Sequence, residues 1–449
     1  MKKLFVIAVV LITVFASCPH TPTETKGEIV FWIPFGSPSD KYLVEIVNKF
    51  NTTNPSMRVT WVQYEDSDEY LEKLRDAIRD GNPPNVILID RFSVAQRAAE
   101  MYLHDLTPYL NIITHDFLSF AWEETQFRER TYAIPFDADV RGLFYNRNIL
   151  REAGFPIPID TDTDELYELH WKSGPITLAR LEEISRTVNE HFNNTKIGFI
   201  PQMDQGWHYT WGSNFGGEFA DAAGRNITPT NQGVIAGFRF LFDWNNNMRK
   251  AGIDLNDFLS EYYQNQYNYS SHPFIRGNLA MTINGDWFMD IIERYTEDFD
   301  YGVTFIPIPE GYEDFPWTEG VSRPHTWTGG YAFAIPRGSR NTAEAMRFIE
   351  FASGPVGQRI YISNFGKAPT LWSLSIEEGI YAPNQPYFRE ALSFARNRPS
   401  LPVGYSYWDA LSEVQERVVE SALKGIPFDI ENALYEIKHR IQQYLDKFF

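Results

Sequence analysis

Glu28-Ile29-Val30-Phe31-Trp32-Ile33, Met57-Arg58-Val59-Thr60-Trp61-Val62-Gln63 and Asn85-Val86-Ile87-Leu88-Ile89 read as three short strands. Between the first two, Leu43, Ile46, Val47 and Phe50 recur at helical spacing behind Ser39 as N-cap, and Asn54-Pro55 stops the repeat. Between the second and third, Leu71, Leu74 and Ile78 recur in the same way, and the helix ends at Gly81. Strands alternating with helices predict an α/β fold, a parallel sheet with helices on both faces. In such sheets ligands bind outside the carboxyl ends of the strands. Phe35-Gly36-Ser37 and Asp90-Arg91 fall at that edge.

The rest of the chain is less regular. Gln202 to Phe219 is dense in Trp, Tyr, Gly and Asn and includes Trp207-His208-Tyr209-Thr210-Trp211-Gly212. Leu279–Asn284 reads as a strand running into Gly285-Asp286-Trp287. Tyr301–Ile308 and Tyr331–Ile335 read as two more, the latter behind Thr328-Gly329-Gly330. The tail is helical: Leu411, Val414, Val418 and Ala422 share a face up to Gly425, and Leu434, Ile437 and Ile441 begin the last pattern. There is no internal repeat and no low-complexity tract.

The chain opens on Met1-Lys2-Lys3, an apolar run to Phe15, then Ala16-Ser17-Cys18, the layout of a secretory signal and too short to span a membrane. Cys18 is the single cysteine, and its place after the small residues resembles a bacterial lipobox, with Phe15 where Leu is usual. That resemblance implies cleavage before Cys18 and its lipidation; the plainer alternative is an ordinary signal peptide. Pro19 to Gly27 reads as a tether. The expected location is outside the cytoplasmic membrane, lipid-anchored on its outer face or in the periplasm. A length of 449 residues predicts two or three domains, and 43% hydrophobic content is ample for their cores. A net charge of −19 argues against nucleic acid. One cysteine excludes an internal disulfide or a thiolate metal cluster. Among 12 Trp, 24 Tyr and 34 Phe, many Trp and Tyr fall in loop-like stretches, where aromatics form platforms for ligands. Asp160-x-Asp162-x-Asp164-Glu165 looks like the start of a calcium loop but lacks the later Gly and Glu, so it reads as a solvated acidic insertion.

The order of these pieces resembles the extracellular solute-binding proteins of ABC importers, in the class that carries sugars. Phe50-Asn51-x-x-Asn54-Pro55, Gly81-Asn82-Pro83-Pro84-Asn85-Val86, Leu106-Thr107-Pro108-Tyr109-Leu110, Tyr132-Ala133-Ile134-Pro135-Phe136 and Leu143-Phe144-Tyr145-Asn146 follow one another as in that family. Gly277 to Trp287 is similar to the corresponding stretch of maltodextrin-binding proteins. The resemblance implies two α/β lobes of mixed, mostly parallel sheets, joined by about three crossings. These are expected near Asp137–Arg141, Trp327–Ala334 and Trp372–Glu377. One lobe is then residues 27–138 plus 331–372, the other 139–326 plus 377–449. The implied partners are a sugar or oligosaccharide and the transmembrane permease; the protein is expected to be a monomer without cofactor or metal.

Sugar recognition needs an aromatic plane for the ring face and Asp, Asn, Glu or Arg for the hydroxyl rim. The resemblance puts stacking aromatics at Trp287 and Trp408, a hydroxyl-gripping pair at Asp90 and Arg91, and an acidic ligand residue at Asp139, with Asp137 able to exchange roles. Trp207, His208 and Trp211 match cleft positions of the second lobe, where at least one is packing. Trp327, Gly329 and Gly330 mark the second crossing, as close backbone approach, hinge or plain turn. Phe35 and Ser37 complete the set. The bland readings are a core Trp for the aromatics and a helix cap with a surface ion pair for Asp90-Arg91. No G-x-S-x-G, H-E-x-x-H or P-loop appears, so the protein is read as a binder, not an enzyme. The alternatives are a secreted glycosidase, which needs only two carboxylates, and a receptor of the same fold for a cation such as a polyamine.

Overall fold

The alternation in Glu28–Ile33 (β1) sends Ile29, Phe31 and Ile33 to one buried face. Helix Ser39–Thr53 (α1) covers that face with Leu43, Ile46, Val47 and Phe50, as its period demands. β1 lies between Arg58–Gln63 (β2) and Val86–Asp90 (β3) and is parallel to both. Val86 to Ile89 are all buried, which explains an apolar run without alternation. Two returning segments complete a five-stranded mixed sheet: Tyr331–Ala334 pairs antiparallel with β3, and Ala133–Pro135 antiparallel with Tyr331–Ala334.

A second, seven-stranded sheet is built on Asp137–Asn146, ten residues that are all buried. Leu279–Gly285 and Tyr301–Thr304 flank its later half, both antiparallel. Trp327–Gly329 and Ala368–Pro369 flank its first residues. Tyr301–Thr304 ends before the expected Ile308. The C-terminal helices Gly404–Lys424 and Ile430–Leu445 follow the predicted spacing, and Gly425 ends the first in a left-handed conformation.

The structure is a computed structural model that describes residues 27–34, 39–64, 67–157, 169–264, 269–316, 326–377, 379–380 and 386–449. Cys18 and the signal, Phe35, Ser37 and the Asp160–Asp164 stretch lie outside them. The described residues form two lobes with separate cores, the second sheet with one cluster and the first with two, one on each face. The chain passes from the first sheet to the second at Phe136, the one residue between two strands. It returns at Gly330, again a single residue between strands. Ala368–Pro369 is the third segment on this seam, a few residues ahead of the expected Trp372–Glu377.

Candidate functional site

Asp90 ends β3, and the chain turns at once into a short helical turn that Asp90 caps through Phe92 N–H. This is the strand-end position predicted for a ligand residue. Asp90 stays partly exposed and borders a cavity of about 1410 Å³, together with Tyr331, Arg97 and Tyr405. Its neighbour turns inward. Arg91 is fully buried; its Nε donates to Glu124 at 2.8 Å, and its Nη1 and Nη2 donate to the carbonyls of Asp137 and Gly329. One guanidinium thus holds the residue after the first single-residue crossing and the residue before the second. All three of its nitrogens are engaged by the protein, so Arg91 is buried on the seam between the two sheets.

The expected acids Asp137 and Asp139 lie on the seam, side chains buried. Asp139 accepts from Gly329 N–H at 2.9 Å, from Lys367 Nζ at 2.9 Å and from Arg141. Burial alone would raise its pKa, but the charges of Arg141 and Lys367 outweigh it and hold the carboxyl well below the usual range. Asp137 is pushed up to about 6 by burial, only partly offset by Lys367. One of its oxygens accepts from Tyr331 N–H; the other finds no partner among the described residues. Asp286 is raised well above the carboxylate range by burial, against the pull of Lys367 3.7 Å away. Gly330 fits between these groups because it has no side chain. Its φ is +128°, and a Cβ there would sit 2.3 Å from the Asp137 carbonyl oxygen.

The tryptophans divide. Trp211 is wholly buried, its indole N–H shared between the Pro201 and Gly206 carbonyls, and it belongs to the core. Trp327 is also buried; its N–H donates to Thr210 Oγ1 at 2.9 Å, and the Arg141 guanidinium lies 3.4 Å from its ring centre. Trp287 is half-buried. Its ring covers Gly285, where a Cβ would meet it at 1.9 Å, and packs against the cores of both lobes under Lys367. Trp207 and Trp408 are half-buried, ring centres 5.0 Å apart. His208 is buried behind Trp408 at 4.6 Å, and burial pushes its pKa down to about 3. It serves as a neutral packing partner.

Two residues of this cluster escaped the sequence reading. Lys367 links Asp139 to Asp286, and Arg398 donates to Asp90 at 3.0 Å while lying over the rings of Phe92, Trp327 and Trp408. Neither has a local sequence signal, since their partners are 228 and 308 positions away. The structure therefore brings together Asp90, Asp137, Asp139, Trp287, Trp327, Gly329 and Gly330 along the seam between the sheets, with Trp207 and Trp408 at its edge.

Two lobes meet on a three-segment seam with aromatic and charged groups gathered along it, and domain interfaces are preferred places for ligand pockets. Residues 45–376 match the family model of the bacterial extracellular solute-binding proteins. The chain belongs to that family. It is 22% identical to the arabinooligosaccharide-binding protein of Bacillus subtilis over 386 residues, 83% of this chain and 82% of that protein. It is 21% identical to the maltotriose-binding protein of Pyrococcus abyssi over 423 residues, 93% and 82% of the two chains. Among solved structures, the GacH receptor of Streptomyces glaucescens, determined unliganded and with acarbose, superposes with a TM-score of 0.73 at 20% identity, covering 94% of this chain and 99% of that one.

Proposed function

We propose that this protein captures an oligosaccharide between its lobes and closes on it to present it to an ABC permease, tethered outside the membrane through a lipid on Cys18. The observation that carries the reading is the set of three half-buried indoles, Trp207, Trp287 and Trp408, on a seam that also holds Asp90, Asp137 and Asp139. Indole faces suit pyranose rings, and carboxylates suit their hydroxyls. Two or more aromatic platforms favour a ligand of more than one ring. The names of the relatives, an arabinooligosaccharide binder and a maltotriose binder, support the same class. The lobes are taken as residues 27–138 plus 331–372 and 139–326 plus 377–449, with the chain crossing between them near Phe136, near Gly330 and in the stretch from 368 to 377.

One observation favours a second reading. Phe92, Trp327 and Trp408 surround a guanidinium with Asp90 beside it, and such a box also suits a cationic solute. Calorimetric titration separates the two. Malto- and arabino-oligosaccharides should bind the wild type and be recovered intact, and Trp408→Ala should weaken them. Binding of polyamines but no sugar would transfer the assignment to the cation. Recovery of cleaved sugar would replace the receptor with a glycosidase.

A further inference from the structure

Asp90 belongs to the five-stranded sheet and Arg398 follows Arg396–Asn397, a strand of the seven-stranded one. Their ion pair therefore spans the two lobes. Arg398 Nη2 reaches both Asp90 oxygens, at 3.0 and 3.2 Å, and the guanidinium carbon lies 4.4 Å from the ring centre of Phe92, the second residue after Asp90. From its own side, Trp408 approaches at 5.5 Å. The same segment makes further contacts across the gap: Tyr405 N–H donates to Gln96 Oε1 at 2.8 Å, and the Phe92 ring meets Tyr405 and Trp408 at 5.7 and 5.8 Å.

We propose that Arg398 is a latch: it holds the two lobes together before ligand arrives and so sets how much of the ligand's binding energy is spent on closing. A guanidinium suits this position because it gives a carboxylate two donors while stacking its flat faces on rings, which an ammonium cannot do. With the latch intact, the binding-competent arrangement is populated in advance and affinity is correspondingly high. Without it, each binding event must first draw the lobes together. Arg398 acts here as a positioning residue, and the idea rests on the two-lobed hinge reading but not on the ligand being a sugar.

Small-angle scattering of the ligand-free protein tests it. Arg398→Gln and Asp90→Asn should each raise the radius of gyration above the wild type, the double variant should be no larger than either, and Arg398→Lys should lie between. Far-ultraviolet circular dichroism should be unchanged, since the substitutions act between lobes. Affinity for the oligosaccharide that best stabilises the wild type should fall about tenfold if the closed population drops to about a tenth. Five coincident scattering profiles, the wild type and all four variants alike, would overturn the latch. If the wild type then still contracts on adding that oligosaccharide, the hinge reading stands without the latch; if no form contracts, the hinge reading falls with it.

Discussion

At the scale of single residues, identity and neighbourhood separate clearly. Trp287 and Trp211 are both tryptophans of the second lobe, but one is half-buried on the seam and the other has both its ring and its N–H consumed by the core. Trp287→Ala should weaken oligosaccharide binding by about 1–3 kcal/mol in a calorimetric titration. Trp211→Ala should instead cost about 3–5 kcal/mol of stability in urea denaturation. Equal effects of the two on affinity would remove Trp287 from the site. Arg91→Ala should destabilise by about 3–5 kcal/mol, because it leaves the buried Glu124 carboxylate without its counter-charge. A variant that melts like the wild type but binds less tightly would return Arg91 to the ligand role the sequence suggested. That suggestion came from the family resemblance together with its strand-end position, and the strand-end position is where the structure has it. What was not legible was the direction of the side chain, because its partners lie 33, 46 and 238 positions away.

At the scale of elements, the crossings carry strain and charge together. Gly330→Ala would force a residue with a Cβ into a φ of +128° against the Asp137 carbonyl, and should lower stability by more than about 1 kcal/mol. An unchanged melting temperature would mean that this crossing relaxes freely. Asp137 offers a pH signature. The folded chain keeps it protonated up to about pH 6, whereas an exposed aspartate loses its proton near 3.9. Between these values the folded state holds more protons than the unfolded one, so this group's contribution to stability falls as pH rises from about 4 to 6, by about 3 kcal/mol. Asp139 acts oppositely: its lowered pKa contributes stability above the unfolded value that is lost as pH falls below it. Asp137→Asn should reduce the first slope in denaturation curves taken across that range, leaving the share of Asp286, whose pKa burial also raises, and an unaltered slope would contradict the burial account. Elements with their own period, such as α1 and the C-terminal helices, were legible within a few residues. The seam was less so, because Asp137–Asn146 is buried throughout and shows no alternation to mark it as one long strand.

At the scale of the whole molecule, two sheets with separate cores meet at three short segments, and the order of modest motifs along the chain was enough to anticipate this. The grouping of Lys367 and Arg398 with the acids was invisible, since it exists only once the chain has crossed the seam three times. Melting the purified protein against a panel of oligosaccharides, polyamines, peptides and phosphate tests whether the seam is an oligosaccharide site. At a hundred times its dissociation constant, an oligosaccharide that binds only the folded state should add about 2.7 kcal/mol of stability and raise the melting temperature accordingly. Stabilisation by polyamines or peptides, with every oligosaccharide leaving the melt unchanged, would contradict it.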